Sequence, residues 1–187
     1  MNIRKEVDGA LERLRGLIVR TPLVRSEVLS ERSGADVHLK LETLQHTGSF
    51  KYRGALNRLL ALDDAERGRG VVTASTGNHG LAVLRAAAEV GTSVRIRVPV
   101  TADAGKVAAL RERGAEVVVE GRECAESAAL SRTEAEETGR VYISAYNDPV
   151  VIGGQGTIAA EILEDLPEVA AVVASVGGGG LITGMAG

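Results

Sequence analysis

Strand and helix signals alternate along the whole chain, and this alternation limits the fold more than any other feature of the sequence. A first helix runs to about Arg15, and an extended segment follows around Thr21-Pro22-Leu23. Val37-His38-Leu39-Lys40-Leu41 alternates apolar and polar residues as a half-buried strand does, with Lys40 on its polar side. After Phe50, residues Ala55, Leu56, Leu59 and Leu60 share one helical face. The β-branched run Val71-Val72-Thr73-Ala74 ends in Ser75-Thr76-Gly77-Asn78, and an Ala-rich helix from Leu81 to Val90 stops at Gly91. The pattern then repeats. Strands are predicted at 93–98, 116–119, 141–144 and 169–176, and helices at 104–113, 123–137 and 157–166. The run Val169 to Val176 is apolar throughout, as expected of a parallel strand covered on both faces. Such alternation predicts an α/β protein with parallel sheets.

Composition narrows the function classes. The chain is 44% apolar and 25% charged over 187 residues, enough to bury a core. A net charge of −3, with no basic run and 2% aromatics, offers neither the electrostatic footprint nor the stacking platforms of a nucleic-acid binder. No stretch has the length and apolarity of a membrane span. The charged start, Met1 to Glu6, is unlike a signal peptide. Cys124 is the single cysteine, so a disulfide framework or cysteine-rich metal site within one chain is excluded, and a cytoplasmic location is the expectation.

Three segments carry chemistry. Of four lysines, Lys51 alone lies between glycines, in Thr47-Gly48-Ser49-Phe50-Lys51-Tyr52-Arg53-Gly54, at the start of an amphipathic helix. The positive end of a helix favours the neutral amine that a Schiff base requires. From these residues alone an ordinary exposed lysine remains the plainer reading. Ser75-Thr76-Gly77-Asn78-His79-Gly80 joins a strand to a helix, where backbone N–H groups bind anions or a side chain simply caps the first turn. By itself, His79 reads as a structural histidine. Gly177-Gly178-Gly179-Gly180 costs conformational entropy and suits a phosphate cradle. It is neither a P-loop nor a dinucleotide fingerprint, since position 182, where a third glycine belongs, is Ile182.

Taken together, these segments resemble one family. The stretch Lys40 to Ala55 is similar to the cofactor-lysine segment of the serine/threonine dehydratases, fold-type II pyridoxal-phosphate enzymes related to serine racemase and the tryptophan synthase β subunit. Ala74 to Gly80 resembles their substrate-carboxylate loop. Gly153-Gly154-Gln155-Gly156-Thr157 resembles the segment leading into their next helix, and Ser175 to Leu181 their phosphate loop. Leu44 to Gly48 with Ala74 to Gly77 is also similar to dehydratases of ectoine breakdown.

The resemblance implies pyridoxal 5′-phosphate as cofactor, with Lys51 as its Schiff-base lysine and proton carrier. Phe50 lies by the ring, Asn78 on its phenolic oxygen, and Gly177, Gly178, Gly179 and Gly180 on the phosphate. Ser75, Thr76, Gly77, Asn78 and His79 surround the substrate carboxylate, largely through backbone N–H groups. The implied reaction is dehydration and deamination of L-threonine or L-serine to a 2-oxo acid and ammonia. Racemisation or β-replacement on the same fold is the alternative, as is an inactive truncated chain. Thr76, where racemases of the family carry serine, weakens the racemase alternative. Tyr146-Asn147 departs from a common Phe-Asp pair. The family continues well beyond this length, so the partner of the pyridine nitrogen and any metal site are assigned to no residue here. The expected organisation is an incomplete large cofactor domain from residues 1–65 and 148–187, and a small α/β domain from 66–147. A small amino-acid substrate and homo-oligomerisation of the full-length form are expected, with no nucleic-acid or membrane partner. The 187 residues alone are expected to be a poor catalyst.

Overall fold

The computed structural model describes residues 2–187. Helix α1 (Ile3–Arg13) is capped by the Asn2 side chain, which accepts from the Lys5 amide. Strands β1 (Leu23–Arg25) and β2 (His38–Lys40) pair antiparallel across helix α2 (Glu27–Ser33). Helix α3 (Lys51–Leu60) buries Ala55, Leu56 and Leu59, with Leu60 partly covered, as the spacing predicts. Helix α4 (Asp64–Arg69) is short and starts in a capping box between Asp63 and Glu66.

The alternating region forms one parallel sheet. Strand β3 (Val71–Ala74) leads to helix α5 (Asn78–Val90), which ends at Gly91 in the left-handed region, φ 69°. Strand β4 (Val94–Val98), helix α6 (Ala104–Glu112), strand β5 (Glu116–Val119), helix α7 (Cys124–Thr138) and strand β6 (Val141–Tyr142) follow. The sheet order is β5-β4-β3-β6, so β3 is central and pairs with β4 and β6. Val71, Val94, Ile96 and Val98 from the sheet join Tyr52, Leu56 and Leu59 of α3 and Ala82, Val83 and Ala86 of α5 in one continuous apolar core. Among the described residues no helix is long and apolar enough to cross a membrane.

Two sequence expectations are corrected. Helix α8 runs over Pro149–Asp165 and does not begin at Thr157. Asp148 accepts from the Val150 and Val151 amides, and Pro149 stands at the first helical position, which together start the helix early. Gly153, Gly154 and Gly156 lie inside it because neighbouring helices come too close for side chains. An added Cβ at Gly153 would lie 2.5 Å from the Glu6 carbonyl oxygen, and one at Gly154 would lie 2.6 Å from that of Arg53. At Gly156 it would lie 2.5 Å from the Gly184 carbonyl oxygen, in helix α9 (Gly180–Met185). The second correction concerns Val169 to Val176, which forms no strand and is not buried. The segment pairs with neither edge of the sheet, and Val173 is 97% exposed. Apolar, β-branched composition gives strand propensity, but a strand needs hydrogen-bonding neighbours, and no described residue supplies them.

Candidate active site

Lys51 is the first residue of α3, placed there by the turn Thr47–Phe50. Its Nζ donates to the Ala145 carbonyl oxygen at 2.8 Å and lies 5.2 Å from the centre of the Phe50 ring. Burial lowers its pKa, a shift toward the neutral amine caused by desolvation. The other lysines are unlike it. Lys5 and Lys106 are exposed. Lys40, expected on the polar side of its strand, is buried instead. Its Nζ bonds Glu161 at 2.6 Å and donates to the Thr21 carbonyl at 2.6 Å.

Those partners belong to a buried polar cluster directly beneath the Lys51 helix. Arg53, fully buried, meets Glu42 through two nitrogens at 2.8 and 2.9 Å and Glu161 at 2.6 Å. Burial pushes the Glu161 carboxyl up, but the Arg53 and Lys40 hydrogen bonds outweigh it and hold the group below its ordinary range. Gln45 clasps Val19, accepting from its amide and donating to its carbonyl at 3.1 and 2.9 Å. The residues around Lys51 that looked like one motif are therefore mostly the scaffold of α3.

Lys51 and Phe50 share a cleft of about 190 Å³ with Tyr146, Ser175, Gly177, Gly178, Gly179, Gly180, Leu181 and Ile182. The glycine run turns into α9, with Gly179 at φ 87°, where a side chain is strained. An added Cβ would meet open space at Gly177 and Gly179, but the Tyr146 ring at Gly178 and the Tyr146 backbone at Gly180. Glycine at 178 and 180 thus admits Tyr146, whereas 177 and 179 leave backbone free toward the cleft. A glycine cradle facing a desolvated lysine fits a phosphorylated carbonyl cofactor.

The second predicted loop does not line that cleft. Ser75 accepts from the Gly77 amide at 3.2 Å, half-buried Thr76 follows, and exposed Asn78 opens α5. An added Cβ at Gly80 would lie 2.7 Å from the Ser75 carbonyl oxygen, so Gly80 lets the turn close tightly. The first-turn amides of α5 have no acceptor within the helix. His79 faces inward. Its Nε2 lies 3.1 Å from Thr73 Oγ1 and 3.2 Å from the Ile143 carbonyl oxygen, and burial lowers its pKa to about 4. Only its backbone is available to a ligand. Tyr146 and Ala145 are the site residues whose roles sequence reasoning missed. The one signal for Tyr146 was a glycine run longer than a phosphate needs.

Known proteins match this arrangement. The family described as pyridoxal-phosphate dependent enzyme matches residues 14–187. The chain is 46% identical to an L-threonine ammonia-lyase of Thermotoga maritima, over 97% of this chain and 45% of that protein. It is 45% identical to the catabolic L-threonine dehydratase of Escherichia coli, over 97% and 55%. Maize serine racemase superposes with a TM-score of 0.91 at 36% identity, over 97% of this chain and 55% of that structure. The chain spans about half the length of the curated relatives it matches. By the match over residues 14–187, most of its length, the chain belongs to the pyridoxal-phosphate dependent enzymes.

Proposed function

We propose that the protein to which these residues belong eliminates water and ammonia from L-threonine or L-serine, leaving a 2-oxo acid. The observation that carries this reading is the desolvated Lys51 amine in one cleft with the glycine run. The names of the two bacterial relatives support the substrate class.

Pyridoxal phosphate, when bound, supplies an aldehyde that joins amines and a ring that accepts electrons released at the substrate Cα. Lys51 Nζ would hold it, backbone N–H groups of Gly177 to Gly180 would take its phosphate, Phe50 would flank its ring, and Asn78 would reach its phenolic oxygen. Backbone N–H groups of Ser75, Thr76, Gly77, Asn78 and His79 would orient the substrate carboxylate. Lys51 Nζ would serve as general base for the substrate Cα proton. With that proton delivered to it, the β-hydroxyl would leave as water, and hydrolysis of the released enamine would give the 2-oxo acid and ammonia.

The same reading divides the chain into a large cofactor domain, 1–65 with 148–187, and a small domain, 66–147. In support, the whole parallel sheet falls within 66–147, while α8 packs against α1, α3 and α9; α3 also packs on α5 of the smaller unit. A cytoplasmic homo-oligomer completes the proposal, and the exposed free thiol of Cys124 suits a reducing compartment. Full-length enzyme given L-serine should release ammonia and 2-oxo acid far faster than D-serine, because Thr76 carries a methyl and a stiffer rotamer where a second-face acid would stand. D-serine accumulating first would reject the reading. Borohydride reduction of the holoenzyme should place the cofactor label on Lys51, and a label on Lys40 or Lys106 would reject the site.

A further inference from the structure

The segment Ile143–Asn147 meets Lys51, His79 and the glycine run. Ile143 is buried, and its amide donates to the Val72 carbonyl at 2.9 Å, continuing the line of β6. Its carbonyl oxygen takes two side-chain donors. Thr73 Oγ1 donates to it at 2.7 Å, and His79 Nε2 lies 3.2 Å away. Thr73 gives its one hydroxyl proton to that carbonyl, so neither neighbour of Nε2, the carbonyl oxygen or Thr73 Oγ1 at 3.1 Å, has a proton for it, and Nε2 carries the imidazole proton. Nδ1 is then a lone pair, buried without a partner among the described residues. Such an imidazole is an uncharged donor with a fixed tautomer, consistent with a pKa of about 4. One residue on, Ser144 Oγ accepts from the Asn147 amide at 3.0 Å and turns the chain. Between these two fixed points stands Ala145, whose carbonyl takes the Lys51 amine at 2.8 Å. Tyr146 then lies against Gly178 and Gly180.

We propose that His79 is a positioning residue for Lys51: with Thr73 it fixes the Ile143 carbonyl, and so aims the Ala145 carbonyl that holds the free amine. An amine that donates one N–H to a fixed acceptor has its remaining positions turned elsewhere, and the cleft is the open side. The acceptor therefore restrains and orients the nucleophile whenever it is not bonded to cofactor. This assigns the His79 side chain a task that its backbone, in the carboxylate loop, does not perform.

The inference rests on Lys51 being the reactive amine. Its test reads Lys51 directly, without turnover, so an error about the substrate would leave the result intact. Full-length protein stripped of cofactor is acylated with trace acetic anhydride and mapped by mass spectrometry, with exposed Lys5 and Lys106 as internal references. Thr73→Val and His79→Leu each remove one donor while keeping bulk. In each, Lys51 should label faster relative to the references, by about threefold to tenfold, the equivalent of one hydrogen bond. Thr73→Ser and His79→Gln restore a donor at the same place and should return the native ratio. An unchanged or lowered ratio in both Thr73→Val and His79→Leu, with native circular dichroism, overturns the proposal. So does a ratio raised equally in His79→Gln, since bulk rather than the hydrogen bond would then be responsible. Should His79→Leu fail to fold, the nearly isosteric Thr73→Val with its serine control decides alone.

Discussion

At the scale of single residues, burial decides what each titratable group can do. His79 sits in the loop whose sequence suggests substrate contact, yet its ring is enclosed by Thr73 and Ile143. Its pKa of about 4 lies below the ordinary histidine value of about 6.5. Between those values the unfolded chain binds a proton that the folded one refuses, so stability falls as pH falls, starting below about 6.5 and ending below about 4. The loss attributable to this one group is about 3 kcal/mol across that window. Urea unfolding at pH 7 and pH 4.5 should show a smaller drop for His79→Gln than for the native chain; equal drops would show that His79 does not contribute. Lys51 was singled out by the resemblance of its segment to a known family, since its neighbours alone left an ordinary exposed lysine as the plainer reading. Lys40 was not. Its alternating strand placed it outward, and its burial depends on Glu161, a partner that no local pattern can reveal.

Among the elements, the βα alternation was readable almost throughout, since strands β3 to β5 are short runs rich in valine and the helices that follow them end at or beside Gly91, Gly114 and Gly139. Helix α8 was the failure. Its glycines look like a loop to any propensity argument, and they are helical because α1, α3 and α9 press against them. Close packing overrode propensity, which costs up to about 1 kcal/mol per glycine in isolation. The opposite substitution test follows. Gly154→Ala should destabilise by about 1–3 kcal/mol through overpacking against α3, and should weaken cofactor binding by displacing the helix that starts at Lys51. Gly68→Ala, in the exposed helix α4 with open space around an added Cβ, should be neutral or stabilising. Thermal melts of the two variants separate the cases: equal melting temperatures would mean that α8 and α3 can part without penalty.

For the whole molecule, the apolar core is continuous, but Val172, Val173 and Val176 stand outside it, exposed on an extended segment. An unpaired β-prone segment pairs readily with another sheet edge. The 187-residue chain in isolation should therefore self-associate as its concentration rises, and Val173→Lys should reduce this. Light scattering that finds both proteins monomeric at high concentration would refute it. The sequence marked this segment as β-prone but not as exposed, because exposure depends on which strands stand beside it. The order β5-β4-β3-β6 has a further consequence, in time rather than in space. Strand β3 pairs residue 71 with residue 94 on one side and with residue 141 on the other. At a synthesis rate of about 5–20 residues per second, the first edge is covered soon after it leaves the ribosome, while the second waits on the order of ten seconds for β6. During that interval the central strand of the finished sheet is an edge strand, and the newborn chain most needs a chaperone at Val71 and Val72.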